Sequence, residues 1–241
     1  MQTTSQRTIK KEVLQSTALN ETKEILIYLP PGFQADQDYP VLILHDGTDY
    51  FNLGRIVTQA HTMIQNKEIK PVMLVSVPIN KEIRTDTYAP KGSKHQAHIH
   101  MIVNELLPLL QDQYGVSPLS STFVIGGSSL GATVSLQIAL AYPELFHNIL
   151  SQSGAFSEET KETILKSSSL SHFKIYQSIG KSETSVPTHL GKLNFLTRNR
   201  EVFRLLEEKR ANVQYVEAEG DHTWGFWQRD LTAALSFFFK Y

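Results

Sequence analysis

The sequence contains no cysteine among its 241 residues, and this absence removes several kinds of chemistry. Without thiols the chain has no disulfide framework, no zinc-finger site and no thiol nucleophile. Charge of one sign is also not in excess, because 23 Lys and Arg residues balance 24 Asp and Glu residues. A net charge of -1 gives no general attraction to nucleic acid or to an anionic membrane surface. We therefore expect neither nucleic acid nor a membrane among the partners.

Long hydrophobic runs are missing as well, although 41% of the residues are hydrophobic. No stretch approaches the roughly 18–20 apolar residues that a membrane span requires. The N-terminal segment, MQTTSQRTIKKEVLQ, lacks an apolar run after its charges and is not typical of a signal peptide. We expect one cytoplasmic domain over residues 1–241, large enough to bury a sizeable core.

Short apolar runs recur along the chain and predict strands. They are Ile25–Leu29, Val41–His45, Val72–Val77, Thr122–Ile125, Ile149–Ser151, Ile175–Ile179 and Val213–Val216. Several are hydrophobic without alternation, which is typical of parallel strands that are buried on both faces. Helical periodicity at 99–113, 130–141, 197–209 and 227–239 separates many of them. This order predicts an α/β fold with a mostly parallel central sheet and helices on both faces.

Two longer segments carry no strong periodicity. Residues 78–97 contain prolines, a glycine and many charges, and we interpret them as a long surface loop. Residues 152–171 are rich in Ser and Glu and are interpreted as a mobile excursion or a small lid. Pro108 lies inside the helical pattern of 99–113, so we expect a kink or a shorter helix there.

The strongest local motif is Gly127-Ser128-Ser129-Leu130-Gly131, which follows a predicted strand and opens a predicted helix. Its G-x-S-x-G spacing is typical of a nucleophile elbow, in which a serine projects from a sharp strand-to-helix turn. The flanking glycines have no Cβ and let the two arms of the turn approach closely. We therefore predict Ser129 as a nucleophile and the Leu130 N–H as an oxyanion donor.

A serine hydroxyl needs a neighbouring base, and histidine suits that role near pH 7. Among the nine histidines, His222 follows the last predicted strand and precedes the last helix. A loop at that position opens at the carboxyl edge of the sheet, where open α/β sheets place their sites. We predict His222 as the base.

The acid of such a triad is expected between the serine and the histidine in the chain. Glu183 follows the strand Ile175–Ile179 and is the one carboxylate between Tyr176 and Glu201. It would accept a hydrogen bond from Nδ1–H of His222 and stabilise the imidazolium. Asp221, adjacent to His222, remains the alternative acid.

With these residues in place, the chain resembles the esterase branch of the α/β-hydrolases that includes esterase D, enterobactin esterases, feruloyl esterases and mycolyltransferases. The matching segments are Ile27–Phe33, Pro40–Gly47, Arg84–Pro90, Glu105–Pro108, the Ser129 elbow, Asn199–Phe203 and Gly220–Trp227. The match covers nearly all of the chain, from about residue 8 to the C-terminus. Where relatives often have Gly-Gly-His, this chain has Gly220-Asp221-His222.

The resemblance implies an α/β-hydrolase fold with Ser129, Glu183 and His222 as the triad and no cofactor. It also implies a second oxyanion donor, the backbone N–H of Thr48, just after the His45-Asp46-Gly47 turn. The expected function is hydrolysis of small or short-acyl carboxylic esters. A siderophore trilactone esterase, an acyltransferase and an inactive binding protein of the same fold remain alternatives.

Four further residues are weaker candidates for substrate contacts. Arg84 and Tyr88 lie on the predicted loop at the same sheet edge, and Tyr50 and Trp224 lie close in sequence to predicted site residues. Any of them would serve a homodimer surface equally well.

A second motif, His95-x-x-His98-x-His100, invites a metal interpretation. No carboxylate lies near it before Glu105, and zinc needs fixed ligand geometry with supporting hydrogen bonds. We therefore predict no metal site there.

Overall fold

The structure, a computed structural model, describes residues 6–117 and 123–241. The strands in these ranges are β1 (Thr8–Ser16), β2 (Glu21–Leu29), β3 (Val41–His45), β4 (Met73–Val77), β5 (Phe123–Ser128), β6 (Asn148–Gln152), β7 (Lys174–Gly180), β8 (Val186–Thr188), β9 (Gly191–Leu193) and β10 (Asn212–Ala218). The α-helices are α1 (Gly47–Asn52), α2 (Ile56–Gln65), α3 (Arg84–Tyr88), α4 (His95–Met101), α5 (Leu107–Tyr114), α6 (Leu130–Ala141), α7 (Glu158–Lys166), α8 (Phe195–Glu208) and α9 (Trp224–Phe239).

Eight strands form one sheet in the order β1-β2-β4-β3-β5-β6-β7-β10. Strand β2 is antiparallel to both of its neighbours, β1 and β4. The six strands β4, β3, β5, β6, β7 and β10 run parallel to one another. The carboxyl ends of the parallel strands therefore meet at one edge, where the loops that follow β5, β7 and β10 come together. The predicted mostly parallel sheet is confirmed.

Helices cover both faces of this sheet, as β3 illustrates. Its residues Val41 and Ile43 pack in one buried hydrophobic cluster, whereas Leu42 and Leu44 pack in the other. All four side chains are fully buried. This two-sided burial explains why the strand lacks alternation in its sequence, and each such side chain stabilises the fold by roughly 1.5–3 kcal/mol.

The predicted strands agree with the observed ones apart from a few residues at their ends, and Thr122 lies outside the described residues. Strand β1 has no counterpart among the predictions. It is an edge strand with most of its residues exposed, so its sequence carries no apolar run that would predict it. The short antiparallel hairpin β8–β9 was likewise missed, since its three-residue strands are too short for a periodic pattern.

The interpretation of 78–97 as one long loop is wrong. This segment forms a 3-10 turn at Lys81–Ile83, the helix α3 and the start of α4. Asn80 accepts a hydrogen bond from Glu82 N through its side chain and thereby caps the turn. The segment 152–171 also contains a regular element, α7, whose buried Ile164 packs into the core.

The helical pattern around Pro108 is continuous but not uniform. Helices α4 and α5 are joined by a π-helical turn, Ile102–Leu106, and Pro108 occupies the first turn of α5. Because proline has no N–H, it fits the start of a helix segment better than its interior. None of the helices in the described part of the chain is long and apolar enough to cross a membrane.

Candidate active site

The serine of the G-x-S-x-G motif lies at the turn between β5 and α6. Ser129 has φ 56° and ψ −123°, a backbone conformation that is rare for a residue with a side chain. Its N–H donates to Gln152 O on the neighbouring strand at 2.9 Å, and its carbonyl accepts from Ala155 N at 3.1 Å. These bonds hold the strained residue in place, so that the side chain projects from the turn.

The glycines of the motif are required by close packing. A Cβ on Gly127 would lie 2.6 Å from the carbonyl carbon of Gly131, and a Cβ on Gly131 would lie 2.9 Å from Oδ2 of Asp46. Contacts this short are essentially never made by a Cβ, so glycine at 127 lets β5 meet α6 closely, and glycine at 131 lets α6 approach Asp46.

His222 reaches the serine from the loop between β10 and α9. Its Nε2 lies 3.0 Å from Oγ of Ser129, and its Nδ1 lies 2.6 Å from Oε2 of Glu183. A carboxylate only accepts hydrogen bonds, so the ring proton belongs on Nδ1, and Nε2 is free to accept from the serine hydroxyl. The histidine side chain is 19% exposed and the glutamate side chain 0%.

The buried carboxylate of Glu183 is held by further donors. Oε1 accepts from Oγ of Ser153 at 2.6 Å and from the N–H of Gly180 at 2.9 Å. The indole Nε1 of Trp227 in turn donates to Oγ of Ser153 at 2.8 Å. The acid therefore sits in a hydrogen-bonded network, which offsets the cost of burying its charge.

The alternative acid, Asp221, does not approach the imidazole. It is exposed, and its Oδ1 accepts from the hydroxyl of Thr223 at 2.6 Å. Of the two carboxylates considered from the sequence, the structure brings Glu183 to the histidine.

The two predicted oxyanion donors lie at helix N-termini. Leu130 is the first residue of α6, and Thr48 is the second residue of α1. N–H groups in the first turn of a helix have no acceptor within the helix, so they remain available to an external oxygen. Asp46, which precedes α1, has a left-handed backbone with φ 53°.

Asp46 forms a bidentate ion pair with Arg84. The guanidinium donates from Nε to Oδ1 at 2.8 Å and from Nη2 to Oδ2 at 2.7 Å. Nη2 also lies 3.3 Å from the carbonyl of Ser128. Arg84 thus ties the loop before α1 to the serine turn, and the buried position of Asp46 makes this tie sensitive to loss of either partner.

Two cavities open on the serine. The larger has a volume of about 550 Å³ and is lined by Ser129, His222, the 84–92 segment, the β8–β9 hairpin and the start of α8. The smaller, of about 260 Å³, contains Asp46, Arg84 and Trp224 beside the same serine. Volumes of this order are typical of sites for small molecules.

Residues 16–238 match the profile of a protein family described as "Putative esterase". The chain belongs to this esterase family. It is 39% identical over 231 residues to the uncharacterized protein YjcH of Bacillus subtilis strain 168, an alignment that covers 95% of this chain and 96% of that protein. The uncharacterized protein YbbA of the same strain is 25% identical over 206 residues, covering 78% and 79% of the two chains.

Solved structures show the same fold. A ferulic acid esterase superposes with a TM-score of 0.77 at 16% identity, covering 97% of this chain and 98% of that one. The enterochelin esterase of Shigella flexneri gives 0.81 at 19% identity and covers 95% of this chain, which spans only 57% of that protein. The BES protein of Bacillus cereus gives 0.77 at 17% identity, with coverages of 97% and 95%. The fold of this esterase is therefore that of the α/β-hydrolases.

The structure corrects two of the four predicted substrate contacts of the esterase. Tyr88 is fully buried and accepts from Asp46 N at 3.3 Å, while its ring lies 5.4 Å from the guanidinium carbon of Arg84. Tyr50 is also fully buried, and its hydroxyl donates to Gln152. Burial raises the pKa of both phenols well above the usual value. Neither tyrosine lines the cavities, whereas Arg84 lines both and Trp224 lines the smaller.

The three histidines of the 95–100 segment do not converge on one point. His98 is buried, and its Nε2 lies 2.9 Å from Nε2 of His45. His95 is also buried, but His100 is exposed. Within the described ranges, no group of three or more His, Asp or Glu side chains is arranged to hold a metal ion.

Sequence reasoning gave no role to Ser153 or Arg198. Ser153 contacts the acid because it follows the end of β6 with φ 49°, a backbone turn that no motif marks. Arg198 lines the larger cavity from α8, where it is one of several arginines in the local sequence. Nothing in either sequence context would have distinguished these residues from ordinary polar positions.

Proposed function

We propose that this esterase cleaves carboxylic esters through Ser129, His222 and Glu183, with a covalent acyl-enzyme intermediate. The observation that carries the proposal is the continuous path from Oγ of the serine to Nε2 of the histidine at 3.0 Å, and from Nδ1 to the glutamate at 2.6 Å. The position of Ser129 at a strand-to-helix turn with a positive φ supports the same proposal, because such a turn exposes the hydroxyl.

In the first half of the reaction His222 removes the hydroxyl proton as Ser129 attacks the ester carbonyl. The negative charge that develops on the carbonyl oxygen is stabilised by the N–H groups of Leu130 and Thr48. Glu183 stabilises the imidazolium and keeps the ring in the productive tautomer. The imidazolium then gives its proton to the departing alcohol, and the acyl group remains on the serine.

In the second half, water replaces the alcohol. His222 takes a proton from the water as it attacks the acyl-enzyme, and the serine oxygen leaves with that proton. The acid product and the free enzyme result. The cycle uses side chains and backbone N–H groups of this chain alone.

Small or short-acyl esters fit this site best. The larger cavity is about 550 Å³ and is bounded by the hairpin β8–β9 and by α8. The hairpin strands β8 and β9 have three residues each, so the wall that they form is short and limits the length of acyl chain that the cavity encloses.

The test is a panel of p-nitrophenyl esters of rising acyl length, assayed with the wild type and with Ser129→Ala. We expect the highest kcat/KM at two to four acyl carbons. Removing the nucleophile should lower the rate by more than about 10³-fold across the panel. A maximum at long acyl chains, or activity that survives in the variant, would contradict the proposal. Faster product formation with an added alcohol than with water would instead assign the same machinery to acyl transfer.

A further inference from the structure

The larger cavity contains a cation that no carboxylate neutralises. Arg198 is the fourth residue of α8, is half-buried, and lines the cavity together with Ser129 and His222. Within the described ranges, no Asp or Glu oxygen lies within 4.0 Å of its guanidinium nitrogens. A half-buried charge without a partner is costly, so an arginine in this position is suited to a ligand that brings the missing negative charge.

The guanidinium is already held in place. Its Nη1 donates to the carbonyl of Phe156 at 3.0 Å. Its other edge, Nε and Nη2, has no acceptor in the described part of the chain. A positioned arginine edge of this kind matches the two oxygens of a carboxylate, and little entropy is lost when it binds one.

Two other arginines in the same protein show what this edge binds. Arg84 uses Nε and Nη2 to hold the two oxygens of Asp46. Arg200, two residues beyond Arg198, uses the same two nitrogens to hold Glu217. Arg198 lines the cavity, and its equivalent edge holds no carboxylate in the described part of the chain.

The other charges around the cavity do not supply that carboxylate. Glu159 is ion-paired with Lys91. Arg84 is neutralised by Asp46, and Asp86 is exposed to solvent. Apolar side chains also line the cavity, among them Leu130, Ala155, Val186 and Phe195.

We propose that Arg198 binds a free carboxylate of the substrate, so that the preferred substrates are esters that carry a second, ionised carboxyl group across an apolar body. The inference rests on the proposed function, because it places this group in the cavity that contains Ser129. The carboxylate belongs either to the acyl part or to the alcohol part of the ester, and the two cases are separated by the choice of substrate.

The test compares carboxylate esters with carboxamide esters of the same shape. The acyl arm uses ethyl 4-carboxybenzoate against ethyl 4-carbamoylbenzoate, and the alcohol arm uses 4-acetoxybenzoate against 4-acetoxybenzamide. In each arm the ratio of kcat/KM for the carboxylate to that for the carboxamide is measured. Comparing this ratio between the wild type and a variant cancels the intrinsic reactivity of the two esters.

We expect the ratio to fall at least tenfold in Arg198→Gln in one of the two arms, because only the carboxylate ester loses its charged partner. The matched control is Arg200→Gln, which removes the same charge from the same helix but outside the cavity. Its ratio should stay within twofold of the wild type. Arg198→Lys keeps the positive charge but cannot make the bidentate hydrogen bonds, and its ratio should lie between those of the wild type and Arg198→Gln.

A ratio that falls less than threefold in both arms of Arg198→Gln overturns the inference, and so does an equal fall in Arg200→Gln. If Arg198→Gln does not fold, Arg198→Lys decides, because an unchanged ratio in that variant overturns the inference as well. Failure of the proposed function is distinguishable, since in that case p-nitrophenyl acetate is not hydrolysed through Ser129 at all. Hydrolysis of that ester together with ratios that do not respond to Arg198 overturns this inference alone.

Discussion

Glu183 shows how much the chemistry of one residue depends on its neighbours. Its carboxylate is fully buried, and it accepts from Ser153, Gly180 and His222. The proposed acid is therefore held in position by Ser153 and Gly180, which lie outside the proposed triad, as well as by His222.

Substituting each carboxylate in turn should show whether Glu183 or Asp221 acts as the acid. We expect Glu183→Gln to lower kcat by about 10³–10⁴-fold, because an amide favours the wrong tautomer of His222. Asp221→Asn is the matched control, and its kcat should stay within about twofold, since that carboxylate binds Thr223 and not the imidazole. Steady-state assays of the two purified variants give the comparison. A larger loss in Asp221→Asn than in Glu183→Gln would reverse the assignment of the acid.

The hydroxyl that supports the acid provides a second prediction. Ser153→Ala removes the 2.6 Å bond to Oε1 and leaves the indole N–H of Trp227 without its acceptor. We expect kcat to fall by about tenfold with little change in KM, because a lost bond to a charged group costs roughly 1.5–3 kcal/mol, part of which the transition state bears. Ser151→Ala is the control, since that buried hydroxyl near the same strand end has no hydrogen-bond partner in the described structure. Equal effects of both substitutions would assign Ser153 a role in packing alone.

At the scale of elements, the site depends on how closely β5 approaches α6. The sequence predicts this crossing well, since a buried strand, a G-x-S-x-G motif and an Ala- and Leu-rich helix follow one another. It predicts α3 and α7 poorly, because short helices of five and nine residues are set by their tertiary contacts more than by their own periodicity. The same holds for the edge strand β1, whose exposed residues leave no apolar pattern.

The close approach of β5 and α6 predicts that Gly127→Ala and Gly225→Ala differ in their effect on stability. Gly127→Ala places a Cβ 2.6 Å from the backbone of Gly131, so β5 and α6 must separate, and we expect a loss of about 2 kcal/mol or more. Gly225→Ala meets nothing closer than 3.5 Å at the start of α9 and should leave stability unchanged or slightly higher. Thermal unfolding measures both, and about 1 kcal/mol corresponds to roughly 2–4 °C for a chain of this size. Equal melting temperatures for the two variants would contradict the close packing.

At the scale of the whole molecule, the fold joins residues that lie far apart in the chain. Residues 129, 183 and 222 follow three different parallel strands, and the sheet brings their loops to one edge. The chain order of the three side chains was predictable, because it follows from the topology of the fold. The partners of Arg84 and Ser153 were not, because those contacts depend on the conformations of loops and turns that have no sequence signature.

The buried pair His45–His98 predicts how the stability of the molecule depends on pH. Burial, with a smaller contribution from Arg84, lowers the pKa of His45 to about 3, and burial lowers that of His98 well below its usual value. Between about pH 6.5 and 3 the unfolded chain therefore binds more protons than the folded one. The free energy of unfolding should fall as the pH is lowered through this window, by up to about 1.4 kcal/mol per pH unit for each histidine.

Urea unfolding between pH 7.5 and 5 measures this slope. In His45→Asn the slope should be shallower, because one of the two buried groups is gone. His100→Asn changes an exposed histidine on α4, the helix that contains His98, and should keep the slope of the wild type. Equal slopes in the wild type and in His45→Asn would show that the buried pair does not govern the acid sensitivity.

The proposed mechanism requires the side chain at position 129 to become acylated, and covalent labelling shows whether it does. The protein is treated with a fluorophosphonate, and the mass of the intact chain and of its peptides locates the adduct. We predict one adduct, on Ser129, that is retained when the buried neighbour Ser128 is changed to alanine and is absent in Ser129→Ala. An adduct on another residue, or esterase activity that persists after Ser129 is fully labelled, would exclude Ser129 as the nucleophile.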